Sequence, residues 1–131
     1  MKKILIIPIL LFFLINSTNS YAEWTKMVDD GTKTFYLDFN RIRKVDGYFY
    51  YWILIDIYDP KKEFLSVKNL HQGDCKLFRW KALQSTTYNQ QMGGGNVINT
   101  QDFQGTDLYW YYPLPDSSGE YLLNKVCNME K

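Results

Sequence analysis

Histidine occurs once in this chain, at His71, cysteine only twice, and neither sign of charge prevails. Each shortage excludes a class of chemistry. A serine or cysteine catalyst needs a nucleophile, a base and an orienting carboxylate gathered around its histidine. Asp74 is near His71 in sequence, but no pattern marks a nucleophile, so His71 reads as a partly exposed strand histidine. One histidine and two oxidised cysteines leave too few ligands for zinc. The formal net charge is +1, and removal of the leader described below, with Lys2 and Lys3, leaves 13 basic residues against 14 acidic. A mature charge of −1 offers nothing to attract nucleic acid or an anionic membrane. Repeats, low-complexity tracts and inter-domain linkers are absent, and no catalytic, cofactor-binding or metal site is expected.

What is present begins with an export signal. Lys2 and Lys3 precede an apolar run over residues 4–15 that only Pro8 interrupts. A polar stretch then ends in Ser20-Tyr21-Ala22. Small residues at Ser20 and Ala22 fit the −3 and −1 rule, which places cleavage before Glu23. The run of 12 residues is short for a bilayer span, which takes roughly 20. The expected division is a signal peptide over 1–22 and one domain over 23–131, with no membrane segment left after cleavage. No cysteine lies near the cleavage site to carry a lipid anchor.

Export determines how the cysteines read. In an oxidising compartment, a lone pair in a small domain is a structural disulfide, so Cys75 and Cys127 are expected to be joined. A domain of this length buries roughly two-thirds of its unfolded surface, an adequate core that a staple would help.

Most segments read as strands. Residues 23–28 and 33–39 flank the turn signal Asp29-Asp30-Gly31, and residues 41–46 are polar before a second turn at Asp46-Gly47. Residues 48–58 form the strongest strand, with Phe49, Tyr51, Ile53, Ile55 and Ile57 on one face. Tyr48, Tyr50, Trp52, Leu54, Asp56 and Tyr58 occupy the other, so the strand is central and each face is partly covered. Residues 63–71 pair back after a turn at Asp59-Pro60. Gly73-Asp74 marks a tight connection or bulge, and residues 75–88 make another long strand. Gly93-Gly94-Gly95 forms a mobile tip, residues 96–100 return, and residues 108–112 close the sheet before Pro113 and Pro115. Ser117 caps a last helix, with Glu120 completing a capping box. Leu122, Leu123, Val126 and Cys127 share one side of that helix. About ten residues cannot hold a helix alone in water. A bond from Cys127 to Cys75 would hold it against the sheet.

Other candidates are weaker. Asp38 and Asp56 end apolar runs and suggest the paired carboxylates of a glycosidase. Turn capping accounts for Asp38, and a local hydrogen bond or an ion pair with Arg43 or Lys68 accounts for Asp56. The glycine triplet lacks the Lys-Ser/Thr ending of a phosphate loop. Lys61-Lys62 and Arg41, Arg43 and Lys44 read as solvated turn charges. Aromatics are the remaining enrichment, at 18% of the chain. Tyr48, Tyr50, Trp52, Tyr109 and Tyr111 are the candidate surface, because such side chains bury area yet keep a polar tip. That surface would bind a protein partner or a second copy of the chain.

The order of several marks resembles a known family. They are Tyr36-Leu37-Asp38, Ile42, Gly47, Trp52-Ile53-Leu54 with Asp56, and Ser66-Val67-Lys68. Asp74-Cys75, Tyr88, Met92-Gly93, Trp110 through Pro113, Glu120 and Val126-Cys127 continue the series. Over residues 24–127 the chain resembles the surface-adhesin protein E domain of Gram-negative bacteria. The resemblance implies an α+β fold, a six-stranded antiparallel β-sheet with a C-terminal α-helix tethered by a disulfide. It also implies a non-enzymatic module binding host matrix or serum proteins such as laminin, vitronectin and plasminogen from an outer-membrane lipid anchor. The missing lipid-attachment cysteine departs from that pattern. The expected location is therefore the periplasm or the cell surface, and the alternative role is that of a periplasmic, envelope-associated structural protein.

Overall fold

Large side chains alternating along one strand set the architecture. The computed structural model describes residues 22–129, so the expected leader lies outside the described residues except for Ala22. Seven strands run β1 Thr25–Asp29, β2 Lys33–Leu37, β3 Arg43–Val45, β4 Tyr48–Ile57, β5 Ser66–Asp74, β6 Arg79–Tyr88 and β7 Val97–Asp102, followed by one helix, α1 Ser118–Cys127. The sheet is antiparallel in the order β1-β2-β4-β5-β6-β7. Beside β4, β2 pairs with Ile53–Ile57 and β3 with Tyr48–Tyr50. They share one position in the sheet, split by a 3-10 turn over Phe39–Arg41. Six positions thus hold seven strands, and β4 is central.

The turns follow side-chain chemistry. The Asp30 carboxylate accepts the N–H groups of Thr32 and Lys33 at 2.9 and 2.7 Å, and Gly31 takes φ +87°. Asp46 and Gly47 both have positive φ, 52° and 83°, as a tight two-residue hairpin requires. That hairpin makes β3 a strand, although its residues read only as polar.

Three other expectations are corrected. Gly73 and Asp74 belong to β5, and residues 75–78 form a turn rather than the start of a strand. Asp74 is the cause: its carboxylate accepts the N–H groups of Lys76 and Leu77 at 3.1 and 3.2 Å, which a ladder would need. The bulge lies elsewhere, opposite Leu70 and His71, where β6 carries Leu83 as an extra residue. Residues 108–112 make a single bridge to β6, between Tyr111 and Trp80, and no strand. The glycine-bearing tip is pinned to the sheet: Met92 N–H donates to Asp56 at 2.7 Å and Gly93 N–H to Ser66 Oγ at 2.9 Å.

The core lies between one sheet face and α1. Leu37, Phe49, Tyr51 and Ile53 pack with Leu122 and Val126 of the helix. Ser117 Oγ accepts from Glu120 N–H at 3.2 Å, and the Glu120 carboxylate reaches back to Asp116 N–H at 2.8 Å. The capping box therefore forms with its second arm one residue early. Cys75 and Cys127 are bonded, tying the last residue of α1 to the β5–β6 turn.

Candidate functional site

Alternation gives the sheet two faces with different chemistry. Tyr48, Tyr50 and Trp52 fall on the face away from α1 and are half-buried. Tyr109 and Tyr111 belong to the helix side, because Tyr111 stacks on Trp80 at 4.6 Å and Trp80 on His71 at 4.2 Å. The bridge to β6 turns neighbouring residues of this segment to opposite sides, so Trp110 joins Tyr48 at 5.9 Å. The five candidate aromatics are thus divided by the sheet. Trp110 is the residue that sequence reasoning left out of the candidate surface, and only the bridge reveals its side.

The face away from α1 interleaves cations with rings. The Arg79 guanidinium lies 4.2 Å and Lys81 Nζ 4.5 Å from the Trp110 ring centroid. Arg41 lies 5.7 Å from the Trp24 ring and 5.6 Å from Trp52. Arg41 also donates to Asp38 at 2.6 Å, and Arg79 to Asp74 at 2.9 Å. These carboxylates fix the guanidinium planes, and Arg79 Nη1 also donates to the Tyr112 hydroxyl at 3.3 Å. Lys68 stands 5.0 Å from the Tyr88 ring, and burial lowers its pKa.

Neither candidate carboxylate is arranged for sugar chemistry. Asp38 caps the 3-10 turn, accepting Asn40 N–H at 3.1 Å beside its ion pair with Arg41. Asp56 is buried, which raises its pKa, and it holds Met92. Asp38 stands level with Trp52, four residues along β4 from Asp56, or roughly 13 Å of strand. Glycosidase carboxylates lie within about 5 to 10 Å.

The helix side holds a different feature. His71 is 5% exposed, not partly exposed as expected, because its register places it between Tyr51 and Ala82 beneath Trp80. Burial lowers its pKa to about 3, so the ring is neutral. Asp74 alternates onto the other face and cannot orient it. The Tyr111 hydroxyl donates to Tyr109, a bond that raises its pKa to about 12. A cavity of about 470 Å³ opens beside this stack, between the start of α1 and the sheet. Among the described residues, no carboxylate, lysine or arginine lines it. Among the described residues, no three His, Cys, Asp or Glu are gathered to hold a metal.

Comparison with known proteins adds a family and a fold. The model of the surface-adhesin protein E family matches residues 24–128. A crystal structure of Haemophilus influenzae protein E superposes with a TM-score of 0.60 at 14% identity, covering 84% of this chain and 91% of that one. Protein E from a non-typeable Haemophilus influenzae gives 0.51 at 13% identity, covering 84% and 76%. At such identities the likeness is one of fold. No curated protein sequence matches the chain significantly.

Proposed function

The chain belongs to the surface-adhesin protein E family, and we propose that it is an exported, non-enzymatic module that binds host matrix or serum proteins. The observation that carries this reading is the cation–aromatic face away from α1. Tyr48 and Trp110 supply area with polar tips, and Arg79 and Lys81 supply charge at 4.2 and 4.5 Å from the Trp110 ring. Interfaces favour such tyrosine, tryptophan and arginine anchors. A partner that fits presents acidic and aromatic side chains. Its binding weakens with salt, since the charges at the rim are screened.

Binding of the oxidised protein to immobilised laminin and vitronectin tests the reading. Trp110→Ala should weaken retention at least tenfold while the melting temperature stays near that of the parent. Retention by neither protein, or retention indifferent to Trp110→Ala and Tyr50→Ala, overturns it. Protease treatment of intact cells supplies a second arm. Digestion from outside supports host contact, and survival until the envelope is broken points to an envelope partner.

A further inference from the structure

We infer that the cavity beneath the start of α1 binds a small, uncharged, ring-bearing molecule that carries a hydroxyl group. Its volume of about 470 Å³ lies within the ordinary range for ligand sites, roughly 300 to 1,000 Å³. Phe35, Trp80, Phe103 and Tyr111 bring rings to its wall, and Ile53, Ile55 and Leu122 bring aliphatic surface. Flat apolar ligands suit such walls, through offset or edge-on ring contacts.

Two polar atoms set the remaining chemistry. Asn69 Oδ1 and His71 Nε2 are buried and have no hydrogen-bond partner among the described residues, and both residues line the cavity. Buried polar atoms are nearly always paired, because leaving one unmet costs about 1–3 kcal/mol. Asn69 and His71 sit two apart on β5, so both face the same side. Asn69 Oδ1 needs a donor, and the neutral imidazole presents either a donor or an acceptor at Nε2. With the ring proton on Nε2, one hydroxyl meets both requirements, donating to Asn69 Oδ1 and accepting from His71 Nε2–H.

Charge is excluded by what surrounds these atoms. Among the described residues, no charged side chain lines the cavity to neutralise an ion. At the helix end on its border the Glu120 carboxylate, which accepts Asp116 N–H at 2.8 Å, already places a negative charge, and that charge disfavours an anion beside it. The site is on the opposite face of the sheet from the cation–aromatic surface.

Calorimetric titration of the oxidised protein with 2-naphthol, naphthalene and 2-naphthoate tests the inference. We expect 2-naphthol to bind at least tenfold more tightly than naphthalene, and 2-naphthoate not to bind at pH 7. Amide shifts on adding 2-naphthol should centre on Ala82 and Gly119 of the unmodified protein. Ala82→Phe should abolish binding by filling the space, and Asn69→Leu should erase the preference for 2-naphthol over naphthalene. No 2-naphthol binding, which would mean that only water occupies the site, overturns the proposal. So do shifts centred elsewhere, or equal binding of 2-naphthoate. Should Ala82→Phe fail to fold, the shift map and Asn69→Leu decide the matter.

Discussion

Gly73 leaves the space that Leu123 fills. A Cβ on Gly73 would lie 3.0 Å from Leu123 Cδ1 and 3.1 Å from Tyr51 Cε1. The glycine has no turn to make: it pairs between Phe49 and Trp80 in the middle of the sheet. Its role is close approach, letting α1 settle onto β5.

Gly73→Ala should therefore destabilise the protein by about 1–3 kcal/mol, the usual cost of overpacking. Leu123→Val should recover part of that loss in the double variant, since the two sites share a contact. Urea unfolding of the four proteins measures both effects. Additive losses would show that Gly73 and Leu123 do not compete for space.

His71 makes stability depend on acid. Burial holds its folded pKa at about 3, below the ordinary 6.5. Below pH 6.5 the unfolded chain takes up a proton that the folded one refuses. Stability from this residue is thus whole above 6.5 and falls as the pH drops toward 3. Between pH 6.5 and 5 the loss is roughly 1.5 kcal/mol. His71→Phe keeps the stack on Trp80 and should flatten that slope. Asp56, raised by burial, and Asp74, lowered by its partners, titrate in both proteins and cancel in the difference. Identical slopes would mean that His71 protonates freely in the folded state.

The disulfide closes a loop of 52 residues. On the chain-entropy model that contributes up to about 4 kcal/mol. Reduction, or Cys127→Ser, should lower the melting temperature and speed amide exchange in α1 before it affects β4. Oxidised and reduced protein melting together would remove the staple from the account.

The tip over Gln91–Gly93 should loosen when its anchors are cut. Asp56→Ala removes the acceptor of Met92 N–H, and Ser66→Ala that of Gly93 N–H. Each should raise exchange at its own amide at least tenfold, with little change in β7. Lys68, whose stem would meet a Cβ on Gly93, helps hold the tip. Unchanged exchange would mean that the glycine run keeps its shape without the sheet.

Local signals carried much of the fold. The alternation from Tyr48 to Tyr58 is enough to make a central strand, because a pleat sends neighbours to opposite faces. Asp46-Gly47, Asp29-Asp30-Gly31 and the Ser117–Glu120 cap act within a few residues, so their turns and helix start were legible. The cysteine pair was legible for another reason: with only two thiols there is one possible bond.

Register and side-chain capture were decided in three dimensions. Asp74 ends β5 by taking the N–H groups of the next turn, a competition that strand propensity does not reveal. The β5–β6 bulge determines which residues of β6 face α1, and so places Trp80 over His71. Tyr109 and Trp110 part company because one bridge to Trp80 aligns their segment with β6. The cavity exists because ten residues of helix cannot cover the whole sheet face. Composition and spacing thus determined strands, turns and the disulfide, whose causes are local or unique. The faces and the cavity arose only when distant residues were brought into register, since a side chain's surroundings depend on which strands pair beside it.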